Sequence, residues 1–387
     1  MRMTSHAAIP DRPSHPPVTR IDDFYAVIPA GGAGTRLWPL SRAGQPKFLH
    51  DLTGSGRSLI QATFDRVARL ADHDGVLVVT GESHASAIVD QLPTLSRGGV
   101  LTEPSPRDSM AAIGLAAAVL HRRHGDVVFG SFAADHVITD LTGFDAAIRE
   151  AVTAAREGWV VTVGISATRP STAFGYIHAG ESLNIERAPS VRAVASFTEK
   201  PDAATARTYL STGEYRWNAG MFIARVTVLL DHLRNQRPAL YQGLMEIADA
   251  WDTDQQDAVV AQVWPKLEKI AIDHAVAEPV AALGGVAVVP GNFGWDDVGD
   301  FNSLAALLPS DDSHGSKVLG DHTDVVRVGS AGSVIVPQSG RLVTVLGLDD
   351  VVVVDTPDAL LVTTRARAQQ VKDMVTELRD RGLDEYM

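Results

Sequence analysis

Apolar residues between positions 23 and 165 fall in short β-branched runs, separated by stretches whose apolar positions lie three and four apart. The runs predict strands over 25–29, 76–80, 99–102, 127–131 and 159–164, and the intervening stretches predict helices over 59–70, 83–92, 109–121 and 143–157. Alternation of this kind implies an α/β fold, with a mostly parallel, Rossmann-like sheet covered by helices on both faces. From 166 to 310 the pattern is mixed. Strand-like pieces at 193–198, 219–224 and 286–289 join longer helical stretches at 226–233 and 244–250, which reads as a continuation of the same domain. A polar break follows at 310–316. Short, closely spaced strands are then expected at 324–328, 333–336, 341–346, 351–354 and 359–363, with a terminal helix over 365–381. The expected organisation is a disordered leader over 1–22, one domain over 23–312 and a small one over 313–387.

Composition narrows the classes of function. The 387 residues suffice for two domains, and 45% hydrophobic with 21% charged content is ordinary for a globular enzyme. A formal net charge of −13 argues against a nucleic-acid partner, though a local positive cluster can still bind small anions. With no cysteine, disulfides, thiolate catalysis and cysteine-held zinc are excluded. No apolar run approaches the roughly 18 residues of a membrane span. The proline-bearing first twenty residues also lack the apolar region of a secretory signal. The expectation is a cytoplasmic protein with no membrane association.

The first candidate chemistry lies where the strand at 25–29 meets Gly31, Gly32 and Gly34, followed by Thr35 and by cations at Arg36, Arg42 and Lys47. Glycines let backbone N–H groups approach an anion, and the cations supply charge, so the segment reads as a phosphate site. It is neither a P-loop nor a dinucleotide fingerprint, because no Gly-Lys-Ser/Thr follows and Leu37 stands where a third glycine should be. A plain tight turn is the alternative for these glycines alone.

Further segments carry polar residues at strand ends. Asp135, after the strand at 127–131, suits a hard metal ion or a turn, and His136 suits packing better than ligation. Asp296 and Asp297 sit in a glycine-flanked loop that could share a metal or simply face solvent. Glu199 and Lys200 before Pro201 fit a sugar phosphate or an exposed ion pair. Asn218 fits a sugar hydroxyl or a structural role. Gly175 lies next to aromatics, and Asp108 is the expected N-cap of the helix after Glu103 and Arg107.

Seven of these segments occur together and in order: GGAGTRLWPLSR at 31–42 with Pro46-Lys47-Phe48, EPSPRDSMAAI at 103–113, AADH at 133–136, FGYI at 174–177, FTEKP at 197–201, WNAGMF at 217–222 and WDDVG at 295–299. The set resembles the sugar-nucleotide pyrophosphorylases, most closely the mannose-1-phosphate guanylyltransferases, over about residues 24–305. Ser109, Ala134 and Asp296 depart from residues common in that family. The resemblance implies a nucleotidyltransferase core followed by a small left-handed β-helix. It also implies a reaction in which GTP and α-D-mannose 1-phosphate give GDP-mannose and pyrophosphate, with Mg²⁺ (Mn²⁺ as an alternative) as cofactor.

By the same resemblance Gly31, Gly32, Gly34, Thr35, Arg36 and Lys47 hold the triphosphate, and Arg36 meets the leaving pyrophosphate. Asp135 and Asp297 hold the metal, Asp297 being preferred to Asp296 because it directly precedes the Val-Gly of the motif. Glu103, Arg107 and Asp108 line the base pocket, and Gly175, Glu199, Lys200 and Asn218 the mannose-phosphate site. Longer family members carry a C-terminal isomerase for which this length leaves no room, so no isomerase activity is expected. A homodimer is compatible with the β-rich tail. The competing readings are a pyrophosphorylase for another pair, such as glucose 1-phosphate with UTP or ATP, a catalytically silent relative, and a dinucleotide-dependent oxidoreductase.

Overall fold

The computed structural model describes residues 19–32 and 34–387. Most of the leader expected over 1–22 lies outside the described residues. The strands of the first part are β1 (Phe24–Ala30), β2 (Val76–Gly81), β3 (Val100–Glu103), β4 (Val128–Ser131), the short β5 (Val137–Ile138), β6 (Val160–Ser166), β7 (Tyr176–Ser182), β8 (Arg192–Thr198), β9 (Tyr215–Arg225), β10 (Val286–Gly291) and the short β11 (Trp295–Asp296). The helices are α1 (Leu59–Ala68), α2 (Glu82–Gln91), α3 (Asp108–His124), α4 (Leu141–Arg156), α5 (Ala203–Thr212), α6 (Val226–Gln236), α7 (Pro238–Ala250), α8 (Gln256–Val263), α9 (Glu278–Ala282) and α10 (Phe301–Leu307).

Nine strands form one sheet in the order β3-β2-β1-β4-β9-β6-β10-β8-β7. Only β9 and β8 run against the rest, so the sheet is mostly parallel. Its residues alternate between two cores. Val27 faces α3, α6 and α7, whereas Ala26 and Ile28 face α1 and α4. Alanines at 111, 112 and 116–118 let α3 lie buried between sheet and outer helices, and a Cβ on Gly114 would stand 2.6 Å from Leu244.

The order of strands decides where a ligand sits. The chain runs from β1 outward to β2 and β3, then returns to β4 on the opposite side of β1. The carboxyl ends of β1 and β4 flank this reversal, which opens the crevice where such sheets take ligands. The glycine turn follows β1, and Asp135 follows β4.

The C-terminal part contains β12 (Lys317–Val318), β13 (Val325–Val328), β14 (Val334–Pro337), β15 (Val343–Leu346), β16 (Val351–Asp355), β17 (Leu360–Thr364) and α11 (Val371–Asp380). Lys317 pairs in parallel with Val334 and Val334 with Val352, steps of 17 and 18 residues that each make one coil of a β-helix. Val318, Ile335, Val345, Val351 and Val353 fill its interior. The terminal helix expected over 365–381 starts as a 3-10 turn, Arg365–Gln370, and becomes α-helical at Val371. A third core joins the two parts. In it Leu37, Trp38 and Val298, which follow the glycine turn and Asp297, pack with Val336, Val354, Val371 and Val375.

Candidate active site

β1 delivers the chain into Gly31 and Gly32, both exposed, with Gly32 at φ +84. Gly34, at φ +65, starts the short 3-10 turn Thr35–Leu37. A Cβ there would meet Ser41 Oγ at 2.9 Å and Lys47 Cβ at 3.0 Å, so glycine is what lets Lys47 lie against the turn. Thr35 is exposed. Arg36 is half-buried, and its Nε has no hydrogen-bond partner among the described residues. Ala33 lies outside the described residues.

Beyond β4 the chain keeps following β1, with the N–H groups of Phe132 and Ala134 donating to the carbonyls of Val27 and Pro29. Asp135 is thereby carried to the carboxyl end of β1. β5 and β11 pair antiparallel with Val137 opposite Asp296, which sets Asp297 beside Asp135. Lys47 lies between them: its Nζ is 2.7 Å from Asp135 Oδ2 and donates to the Asp297 carbonyl at 2.7 Å. Burial pushes the Asp135 carboxyl up, but the charge and hydrogen bond of Lys47 outweigh it and hold the group below its ordinary range. Asp297 is less compensated. Burial raises it, Lys47 opposes, and the charges of Asp296 and Asp135 add to the rise, to about 6.

The motif around Asp297 is built for that carboxylate. A Cβ on Gly299 would stand 3.1 Å from Asp297 Oδ2. Val298 has φ +47, unusual for a β-branched residue and worth about 1–3 kcal/mol of strain. Complete burial holds it there, as does its N–H, which donates to Asp296 Oδ1 at 2.7 Å. Asp296 is thus committed to the turn, and Asp297 keeps a carboxylate beside Asp135. His136, 5.2 Å from the Trp295 ring, is driven down to about 4 by burial and is neutral, as a packing residue should be.

Two hard carboxylates in this position fit a divalent ion that prefers oxygen. Among the described residues no group of three or more His, Asp or Glu could hold a metal, so the protein would offer two ligands and leave the rest to phosphate and water oxygens. Burial and the neighbouring Asp296 and Asp135 charges, which raise Asp297, are what a bound cation would offset.

The sugar-phosphate candidates gather on the adjoining side of the crevice. β9 runs backwards, so Asn218 near its start lies opposite Gly164, towards the carboxyl end of β6. Asn218 accepts from Thr162 Oγ1 at 2.7 Å and the Gly220 N–H at 3.1 Å, and donates to Asp273 Oδ1 at 2.9 Å. Its own N–H donates to the Gly175 carbonyl at 2.8 Å. A Cβ on Gly175 would stand 2.5 Å from Glu199 Oε2, so this glycine makes room for that carboxylate. Lys200 Nζ lies 2.7 Å from Glu199 Oε1, with Glu199 almost fully buried and Lys200 exposed. Phe174 packs on both Trp217 and Trp295, at 5.0 and 5.3 Å between rings, which links this group to the Asp297 loop.

Sequence reasoning missed Asp273. It stands in the π-turn Asp273–Ala277, and burial together with the Glu199 charge raises it to about 7. The available signal was the polar pair Asp273-His274 interrupting the apolar run 270–276. Burial would lower Lys200, yet Glu199, Asp273 and Asp108 together raise it, so three carboxylates surround this ammonium.

Two expectations are corrected. Asp108 is not the N-cap of α3: Arg107 occupies that position and Asp108 is the first helical residue, at φ +65, within electrostatic reach of Lys200. Arg42 does not join the phosphate cluster. Its guanidinium grips Asp358 through two bonds of 2.6 Å and reaches Thr356 Oγ1, tying the segment after the glycine turn to the β-helix. Arg107 donates to the carbonyls of Leu267 and Pro265, so it pins the 265–267 segment rather than extending a free guanidinium. Glu103, at the end of β3, is raised to about 7 by burial, with the Arg107 N–H partly offsetting it.

Residues 25–313 match the nucleotidyl transferase family model, and 323–378 match a mannoseP isomerase/GMP-like beta-helix domain. The chain is 37% identical over 371 residues to the xanthan biosynthesis protein XanB of Xanthomonas campestris pv. campestris, covering 94% of this chain and 75% of that one. It is 35% identical over 368 residues to the mannose-1-phosphate guanylyltransferase of Escherichia coli (strain K12), with the same coverages. A solved structure from Thermus thermophilus, described as a mannose-1-phosphate geranyltransferase, superposes with TM-score 0.80 at 30% identity, covering 92% of this chain and 99% of that one. The chain belongs to the nucleotidyl transferase family, in the group of the mannose-1-phosphate guanylyltransferases, and is a nucleotidyltransferase with a C-terminal β-helix-like domain.

Proposed function

We propose that this enzyme transfers GMP from GTP to α-D-mannose 1-phosphate, giving GDP-mannose and pyrophosphate. The observation that carries the reading is the Lys47–Asp135–Asp297 cluster at the reversal of the sheet, adjoining the Gly175–Glu199–Asn218 group. The first suits a triphosphate and its counter-ion, and the second suits a phosphorylated sugar.

In this reading a sugar-phosphate oxygen attacks the α-phosphorus, and the bond from that phosphorus to the bridging oxygen of pyrophosphate breaks. No protein base is needed, because a phosphomonoester carries about −1.5 to −2 charge at pH 7 and is already a nucleophile. The obstacle is repulsion between two anions. The glycine turn offers backbone N–H groups to the triphosphate, while Arg36 and Lys47 supply charge beside it. Lys200 meets the sugar phosphate, and Glu199 and Asn218 orient its hydroxyls. Glu103 and Asp108 serve the base side. Asp135 and Asp297 would hold Mg²⁺, which when bound screens the phosphates and steadies the charge of the transition state. The described residues contain no helix long and apolar enough to cross a membrane.

Product analysis tests the proposal. With Mg²⁺, each of the four nucleoside triphosphates is offered with mannose 1-phosphate or glucose 1-phosphate, and pyrophosphate release is measured. GTP with mannose 1-phosphate is expected to give the highest kcat/KM. A higher value for UTP or ATP with glucose 1-phosphate would refute the assignment.

A further inference from the structure

The largest candidate beyond the crevice is a cavity of about 720 Å³ between α1, α4 and the segment that carries Asp135 onward into β5. Leu59, Val137, Ile138, Leu141 and Leu307 supply most of its apolar wall, and Arg66 of α1 lies in its lining. The volume falls within the roughly 300–1,000 Å³ of small-molecule sites.

Arg66 is the unusual member. It is only 4% exposed. Its Nη2 donates to Thr63 Oγ1 at 2.9 Å and to the His136 carbonyl at 3.3 Å. Its Nε is buried without a hydrogen-bond partner among the described residues. The neighbouring arginines are answered, Arg69 by Asp145 at 2.9 Å and Arg57 by Asp65 at 2.7 Å, but among the described residues no carboxylate forms an ion pair with Arg66. Burial and the Arg69 charge pull its guanidinium down to about 10. The Phe144 ring, 5.3 Å away, offsets only part of the cost of burying a bare cation. The lining also holds Arg57 with Asp65, Arg69 with Asp145, and Asp140, which caps α4, so Arg66 is its one arginine without a carboxylate partner among the described residues. A planar guanidinium so placed in a largely apolar wall matches an oxyanion that carries an apolar body.

We propose that this cavity is a second ligand site, taking a small organic oxyanion whose phosphate or carboxylate head meets Arg66 and whose body lies against Val137, Ile138 and Leu141. The site is separate from the crevice but touches the same chain. Thr63 Oγ1 donates to the Ala134 carbonyl and Arg66 to that of His136, so α1 holds the backbone on both sides of Asp135.

Calorimetric titration of the full chain, saturated with GDP-mannose and Mg²⁺ so that both the nucleotide and the sugar-phosphate sides of the crevice are filled, tests the site. Phenyl phosphate and benzoate are the probes, with phenol and inorganic phosphate as controls lacking the charge or the ring. Saturable binding of at least one probe is expected, roughly tenfold tighter than either control. Ala62→Trp, which fills the cavity from α1, should weaken that probe by at least about tenfold while turnover stays normal. Arg66→Met should weaken it similarly. Where that variant fails to fold, Ala62→Trp and phenol decide the matter. Phenyl phosphate binding alone identifies a phosphate head, and benzoate binding alone a carboxylate. The proposal is overturned if neither probe binds up to on the order of 10 mM, if inorganic phosphate binds as well as the probes, or if Ala62→Trp leaves binding unchanged.

Discussion

Replacing Gly175 with alanine should damage the sugar site while sparing the nucleotide site. The added Cβ would stand 2.5 Å from Glu199 Oε2, 3.3 Å from Asn218 Cβ and 3.4 Å from Phe197 Cε1. Ordinary contacts begin near about 3.4 Å, so the Glu199 carboxylate must retreat by about 0.9 Å. Gly175 is not in the left-handed region, so the backbone accepts alanine. For the fold the retreat is modest, about 1 kcal/mol, because only the tip of a side chain moves. For the site it is large. Glu199 carries Lys200 with it, and a misplacement of about 1 Å near reacting groups costs about 100-fold. Steady-state pyrophosphate release, varying each substrate with the other saturating, should show kcat/KM for mannose 1-phosphate lowered by about 30- to 100-fold, or about 2–3 kcal/mol. The KM for GTP should stay within about twofold and the thermal midpoint near that of the parent. A value for mannose 1-phosphate within about threefold of the parent, or an equal loss for both substrates, would refute the reasoning.

Three further outcomes follow from the site. Asp297 must be ionised to hold a cation, and its carboxyl sits near 6 in the metal-free protein, so kcat/KM should fall as pH drops through about 6. Raising Mg²⁺ should move that fall to lower pH, since the ion competes with the proton, and a fall that ignores Mg²⁺ would contradict the ligand role. Asp273 is raised to about 7 in the fold from an ordinary 3.8, so its stabilisation is complete below about pH 4 and is lost as pH rises through 7. Asp273→Asn should therefore gain thermal stability relative to the parent between those values and hold the gain above, whereas parallel melting curves would count against a buried, shifted carboxyl. Asp358→Ala frees Arg42 and should raise KM for GTP about three- to tenfold with kcat little changed. Exchanging the two charges should restore part of the loss, and an unaltered KM would sever the β-helix from the glycine turn.

The crevice was readable in the sequence because backbone chemistry writes itself locally. Glycines at 31, 32 and 34 after a buried strand, and carboxylates just beyond strand ends, are short-range signals whose meaning does not depend on distant partners. The continuous apolar strands and the short coils after residue 317 were legible for the same reason. What failed was anything decided across space. Arg42 reads as one more cation beside the turn until the β-helix brings Asp358 to it 316 residues later. Asp108 follows N-cap statistics, but the chain takes a left-handed step there, and Arg107 assumes the cap position. Asp273 gave only an interruption in an apolar run, because its importance arises from Asn218 and Glu199 on other elements. β7, carrying little contrast between faces, was passed over too.

The account turns on the carboxylates at the ends of β4 and β11, and turnover of Asp135→Asn with GTP, mannose 1-phosphate and a Mg²⁺ titration tests it most directly. The variant keeps the shape of the side chain and should fold normally, with a circular dichroism spectrum like the parent's. Turnover should fall by about 100-fold or more and should not recover at high Mg²⁺. Turnover within a few-fold of the parent at ordinary Mg²⁺ would contradict the claim that this cluster performs the transfer.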